Sequence, residues 1–424
     1  MQSWLDKGFS LGFFRSFFTR FLKPFLQVTM SHQKLLRRTS LWCNLAAVLL
    51  LASGPCLAQD SNGGWINSVS KNTSVQLGAG TRMSTRFHEN EGPGNKWTND
   101  SNLDNVRLYF GAQLYDFLGV TLNSDINNAQ GFGVGTEAGE MRILDAIARF
   151  EFSDSFNVWL GRFLPPSDRS NLSGPYYQTA WDFPYVQFGY PNIFQGRDDG
   201  VAVWGQRTIL GTHLKWQVGA FEGVDGLAGG ANADDNPLYT GRVVLNLLDA
   251  ETGYYNSSTY FGSKDILAIG ASGMYQEDAA GTVVGDRNYT GHSIDFLYEK
   301  NLGDETGTIT LESAYYNYDE DNIDEVLGVG TATTQGEGVF YLVGYLLPWE
   351  VGVGPMAGKF QVYFRYQDYN RRQGTAGVEE GIDVGTNYVL NGHDARIALA
   401  YQRRDTADGT DHVDTFLVGT QLQF

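Results

Sequence analysis

Cysteine is almost missing from this 424-residue chain: there are two, Cys43 and Cys56. Both fall in the first 58 residues, where Lys34, Arg37 and Arg38 precede the short apolar run Leu45 to Ala52 and the small-residue ending CLA at Ala58. A basic region, a brief apolar core and a small residue before a cut is the layout of a cleaved secretory signal. A lipoprotein cut ahead of Cys56 is disfavoured by Pro55, where a small residue is wanted. The expected division is therefore 1–58, an upstream extension plus signal peptide with Met30 as the start and cleavage after Ala58, and 59–424, one exported domain. The exported part has no cysteine, which excludes disulfides, thiolate metal sites and c-type haem attachment.

Long apolar runs are missing as well. Leu45 to Ala52 is too short to span a bilayer, and nothing after it reads as an apolar helix. Basic charge is thin. Residues 1–58 hold seven of the 30 bases and one of the 48 acids, so 59–424 carries 23 bases, six of them Lys, against 47 acids, a net charge of −24. That balance argues against a nucleic-acid surface, which needs a basic stripe. Catalytic signatures are missing too. His88, His213, His292, His393 and His412 show no H-E-x-x-H spacing, and there is no G-x-S-x-G elbow. His88, His393 and His412 fall at expected turns or loop ends, where a solvated ring is expected. No catalytic residue, metal or cofactor is expected.

What the chain has in quantity is glycine (52) and Tyr plus Phe (49). Alternating apolar and polar residues recur in roughly sixteen stretches, the period of half-buried strands. They lie near 73–87, 103–115, 117–128, 140–152, 154–164, 198–208, 210–222, 238–249, 264–277, 288–300, 306–318, 336–347, 357–369, 382–391, 394–404 and 411–424. A soluble sandwich also alternates, so connector length decides. Asp116, Ser153 to Ser155 and Gly392 to His393 are tight, whereas 88–102, 165–197, 223–237, 319–335 and 370–381 are long and polar. Short turns on one rim and long loops on the other are the outer-membrane barrel pattern. The connector near 250–263 is longer than this scheme wants. Because lipid offers no partner to an open sheet edge, the sheet must close. The expected fold is all-β, a transmembrane antiparallel β-barrel of about 16 strands.

One segment breaks the pattern. RFLPPSDRSNLSGPYYQTAWDFPYVQFGYPNIFQGR, from Arg162 to Arg197, holds five of the eleven prolines and nine aromatics, including Tyr176, Tyr177 and Trp181. Proline excludes a ladder strand, and so many aromatics are out of place in water. The expectation is a loop folded into the barrel that narrows the lumen; an external lid or subunit-contact loop is the alternative.

WLGRFLPP, GRDDGVAVWG, VGTNYVLNGHDARIALAYQ and the ending TFLVGTQLQF resemble the phosphate-selective porin O and P family of Gram-negative outer membranes. The resemblance is scattered over most of residues 59–424. It implies sixteen strands, a homotrimer and an inward third external loop. It also makes the terminal aromatic, Phe424, the expected mark for barrel insertion.

The combined reading is a water-filled channel for passive diffusion of small hydrophilic solutes or ions, anions such as phosphate being the narrower version. The partners are a lipid bilayer and the solute, with no nucleic acid. A barrel enzyme of phospholipase or protease kind and a barrel sleeve for a partner protein are the rival classes. Candidate constriction residues are Arg162, Asp168, Arg169, Arg197 and Asp198. A lumenal basic wall is expected from Arg82, Arg107, Arg142, Arg149, Arg365, Arg396 and Arg404, with Arg86 and Arg242 in the same phase. Arginine suits such a wall because its planar fork stays charged. The competing reading pairs these arginines with Asp145, Glu151, Asp295 and Glu312, so that they only hold the wall. On the last strand, Phe416, Val418, Thr420, Leu422 and Phe424 are expected to face lipid and Gln421 and Gln423 water.

Overall fold

The computed structural model describes residues 65–70, 73–89, 97–126, 141–187, 196–223, 236–282, 285–320, 336–371, 378–405 and 412–424. The expected signal peptide and start lie outside them.

Within these residues the alternating stretches form strands, and each strand pairs antiparallel with its sequence neighbour. A short β1 (Trp65–Ser70) precedes β2 (Thr73–Glu89), β3 (Trp97–Tyr115), β4 (Leu118–Ile126), β5 (Met141–Ser153), β6 (Phe156–Phe163), β7 (Asp198–Ile209) and β8 (Thr212–Phe221). Then follow β9 (Leu238–Asn246), β10 (Ile266–Thr282), β11 (Gly285–Asn301), β12 (Thr308–Glu320), β13 (Gly336–Val351), β14 (Gly358–Arg371), β15 (Val378–Asn391), β16 (Ala395–Asp405) and β17 (His412–Gln423). β17 pairs with β2, from Gln423 against Gly80 to Thr415 against His88. That seam closes β2–β17 into a sixteen-stranded barrel with no free edge, as lipid requires. Beyond Gly80, Phe424 and Ala79 exchange backbone hydrogen bonds (2.9 and 3.1 Å), and β1 takes over the pairing with β2.

Alternation sorts the two faces. On β14, Gln361, Tyr363, Arg365, Gln367 and Tyr369 are buried toward the lumen, whereas Val362 and Phe364 are exposed on the outside. On β13, Phe340 and Leu342 point in and Tyr341 and Val343 out. An apolar exterior around an interior that mixes an apolar cluster with many polar and charged side chains suits a lipid surround. Phe416 and Phe424 lie on the exposed face of β17, as expected, but Gln421 is buried under protein, not water. Near one rim the exposed rings of Tyr115, Phe117, Phe152 and Phe156 stack in series at 6.1, 5.9 and 5.9 Å, an interfacial aromatic belt.

That rim carries the short turns: 116–117, 154–155, 210–211, 302–307, 352–357 and 392–394. Leu210 and Gly211 both have positive φ (52° and 84°), the primed hairpin turn whose twist matches its strands. One connector on this rim is long, 247–265, the stretch that the sequence pattern leaves unexplained.

A charge on the outward face should oppose insertion. Leu399, exposed on β16 between Val418 and Thr386, is the test position. Leu399→Lys is expected to lower folding stability in bilayers by roughly 2–4 kcal/mol if it sits at mid-depth, read from urea unfolding in lipid vesicles.

Candidate functional site

The lumen is filled by two segments that enter from opposite rims. The first follows β6. Pro165 and Pro166 end the ladder, and Asp168 then caps a one-turn helix, α1 (Arg169–Ser173), accepting from Asn171 N–H at 3.0 Å. Gly174, at φ 63°, reverses the chain into a 3-10 turn at Pro175–Tyr177. The loop is inside the barrel, as its aromatics suggest; residues 188–195 lie outside the described set.

A backbone that leaves the ladder still needs partners for its carbonyls. The wall supplies them from side-chain donors. Arg396 Nη1 donates to Gln178 O (2.6 Å), Asn387 Nδ2 to Thr179 O (2.8 Å), Arg82 Nη2 to Trp181 O (2.5 Å), Arg365 Nη1 to Asp182 O (2.9 Å) and Gln421 Nε2 to Tyr176 O (3.0 Å). The Arg82 guanidinium also lies over the Trp181 ring at 4.1 Å. Gly419 makes room: a Cβ there would sit 2.8 Å from that indole. Asp182 receives two bonds from Arg86 (2.8 and 2.9 Å) and one from Gln402 (3.0 Å). Burial works to raise this carboxyl, and Arg86 outweighs it, holding it well below the usual carboxylate range.

The second segment is the β9–β10 connector, which folds in from the short-turn rim. Here the wall offers acceptors as well as donors, Gln217 Nε2 donating to Tyr254 O at 2.6 Å. Glu299 takes Thr259 Oγ1 (2.7 Å), Tyr260 N–H (2.9 Å) and Gly262 N–H (2.8 Å), and Glu312 takes Ser258 Oγ (2.9 Å). The two segments also grip each other. Arg169 reaches both oxygens of Glu251 (2.6 and 2.7 Å), Tyr254 Oη donates to Leu164 O (2.9 Å), and Ser258 N–H donates to Tyr177 O (3.0 Å). Burial works to raise the Glu251 carboxyl, but the Arg169 guanidinium outweighs it and holds it down at about 2. Where the segments meet, His393 sets Nδ1 3.1 Å from Tyr176 O and Nε2 2.8 Å from Thr259 O. Its ring packs between Tyr177 and Phe261 at 4.9 and 4.8 Å. The solvated position expected for His393 is thus corrected: the turn is tight, but the inward segments descend onto it. Enclosure, with Arg396 nearby, holds this imidazole down at about 4, so it is neutral at pH 7.

The sequence-derived site residues separate into several groups. Arg82, Arg107, Arg365 and Arg396 face inward and are buried; all but Arg107 donate to the loop backbone, and Arg107 binds Asp125 (2.8 Å) below the Tyr176 ring (5.2 Å). Arg365 also binds Asp383 and Arg242 binds Asp295, while Arg197 binds Asp145 at 3.1 Å. Arg149 makes long contacts to Glu151 (3.3 and 3.4 Å). Arg404 lies over Tyr185 at 5.2 Å, and Arg142 is exposed near the long-loop end of β5. Asp168 is spent on α1 and on Tyr316 Oη (3.1 Å). Asp198 accepts Asp199 and Gly223 N–H groups, both at 2.7 Å, tying strand ends together.

Arg162 needs a correction. It pairs across the sheet with Ala146 and Asp199, in phase with the exposed Leu160, and binds Asp199 at 2.6 and 2.7 Å. Strand alternation therefore puts it on the outer face of the barrel. The proline pair marks where β6 ends but not which face its last charged residue takes.

The sequence reading missed Glu251, Glu299 and the bridging role of His393. Only the surplus length of 250–263 hinted at them. Among the described residues, one trio, Glu89, His412 and Asp414, brings metal-type ligand atoms within 4.8 Å of each other, but Asp414 already takes Arg403 and Tyr401.

Two outcomes are expected. Arg365→Ala leaves Asp383 buried without its guanidinium, a change worth roughly 3–5 kcal/mol, and frees the loop carbonyl of Asp182. Chymotrypsin should then cut the folded variant at the loop aromatics, which it spares in the parent. For Glu251, the folded value lies below the ordinary 4.5, so the pair contributes fully above that pH and loses its contribution as pH falls toward about 2. Tryptophan fluorescence during acid titration should hold through pH 5, start to change below about 4.5, and lose this early change in Glu251→Gln.

No family model matches the chain, and no curated protein matches it. Solved outer-membrane channels do resemble its structure. An anion-selective porin from Comamonas acidovorans is 16% identical with a TM-score of 0.53, covering 83% of this chain and 100% of that one. The channel DcaP of Acinetobacter baumannii is 14% identical with a TM-score of 0.52, covering 85% and 100%. OprB of Pseudomonas putida is 11% identical with a TM-score of 0.51, covering 90% and 97%. At these identities the likeness establishes one thing, the outer-membrane β-barrel fold.

Proposed function

We propose that the chain is a diffusion channel of a Gram-negative outer membrane, passing small hydrophilic solutes down their own gradient. The observation that carries this reading is the pairing of a closed, lipid-compatible barrel with a lumen that holds many charged side chains beside an apolar cluster and is narrowed by an inward loop. The short-turn rim would face the periplasm, and export would depend on the signal at 1–58.

The finer reading is a preference for anions. It is supported by lumenal guanidiniums that keep contact with water, Arg86 and Arg149, whose side chains are 24% and 22% exposed. The buried arginines under the loop serve as its anchors, so selectivity rests on few charges, and a weak anion preference is the form we favour over strict phosphate specificity. Membership of the phosphate-selective porin O and P family and the homotrimer that it implies belong to the same proposal.

Purified protein in planar bilayers should give discrete conductance steps, with a reversal potential of the anion sign under a salt gradient. A cation-sign potential would remove the anion version and leave the channel. A folded protein without conductance would overturn the channel and favour an enzyme or a sleeve. Cross-linking in detergent tests the trimer.

A further inference from the structure

The two inward segments do not cover the wall evenly. On β12, β14, β15 and β16 the lumen-facing Thr310, Gln361, Asn387 and Ala398 are 0–1% exposed, sealed beneath the loop and the connector. On β3–β5 the lumen-facing Tyr109, Thr121, Asn123 and Arg149 stay partly open. Gly119 keeps that wall low, since a Cβ there would lie 2.6 Å from Arg149 Nη2. Opposite stands Tyr255 of the connector, half-buried, its ring 5.8 Å from Trp159 and its carbonyl tied to Lys215 (3.2 Å). Asp145, Arg197, Arg107 and Arg149 are the charges nearest it in electrostatic effect. Tyr177, at the foot of the loop, is 39% exposed.

From this asymmetry we infer that the water path is an eyelet between the β3–β5 wall and the β9–β10 connector, with Tyr255 as its gatepost and Arg149 as its solute-facing cation. The connector is then a second constriction element, entering from the rim opposite the loop. The arginines beneath the loop play no direct part in selecting solute. This rests on the reading of the barrel as a conducting channel.

The scarcity of cysteine makes the test direct. In a chain carrying Cys43→Ser and Cys56→Ser, single changes Thr121→Cys and Glu151→Cys test the open wall, and Thr310→Cys and Ala398→Cys the covered one. Each is treated with a negatively charged methanethiosulfonate during single-channel recording. Reaction at Thr121→Cys and Glu151→Cys, with conductance falling by more than about half, and no response at the covered pair is the expected result. Equal or faster block at the covered pair overturns the eyelet, as does reaction at Thr121→Cys without any change in current. Tyr255→Ala should raise conductance by about twofold, and Arg149→Gln should move the reversal potential toward cations; a Tyr255→Ala channel indistinguishable from the parent also overturns it. Loss of conductance in the cysteine-free parent would overturn the channel reading itself, a result separable from all of these.

Discussion

Every backbone polar group of the barrel wall must find a partner in a surround that offers none. In hydrocarbon an unpaired N–H or C=O costs several kcal/mol, so a sheet that enters it has to close on itself. The β2–β17 seam meets that demand, with the terminal Phe424 exchanging backbone bonds with Ala79 at its end. The same demand follows the chain indoors. Once Pro165 and Pro166 take it off the ladder, its carbonyls must be met by something other than a neighbouring strand.

The wall answers with complementary chemistry on two sides. Carbonyls of the loop are met by donors that accept nothing, Arg82, Arg365 and Arg396, helped by Asn387 and Gln421. Amides and hydroxyls of the connector are met by acceptors, Glu299 and Glu312. Lumenal charge therefore divides between structure and passage. A buried guanidinium already bound to backbone oxygen and carboxylate has few donors left for a solute, so a count of lumenal arginines overstates the field that a solute meets. The few that still touch water matter more. Arg169 and Glu251 add the inter-segment link, and removing Arg169 would leave the buried Glu251 without its bidentate guanidinium.

Legibility followed physical range. Strand period, connector length and the proline-aromatic excursion are local features, and each of the sixteen expected stretches corresponds to a barrel strand. The phase of β14, with Arg365 and Gln367 opposite Val362 and Phe364, was readable because alternation is an intrinsic property of a pleated strand. Arg162 was misread because a phase inferred beside a strand end has no neighbour beyond it to fix it; cross-strand pairing with Ala146 and Asp199 does so. His393 looked like an ordinary turn residue, and within its own hairpin it is one. Its environment comes from Tyr176 and Thr259, more than a hundred residues away.

The sequence by itself determined the strand number, the two faces of the strands and the loop that would leave the sheet, because those depend on residue type and spacing along one strand or turn. Tertiary structure alone decided which arginines remain open to water and that a second segment enters from the opposite rim. Those outcomes depend on which distant backbone atoms arrive beside Arg82, Arg396 and Glu299, and no pattern along the chain encodes such an arrival until the barrel has closed around it.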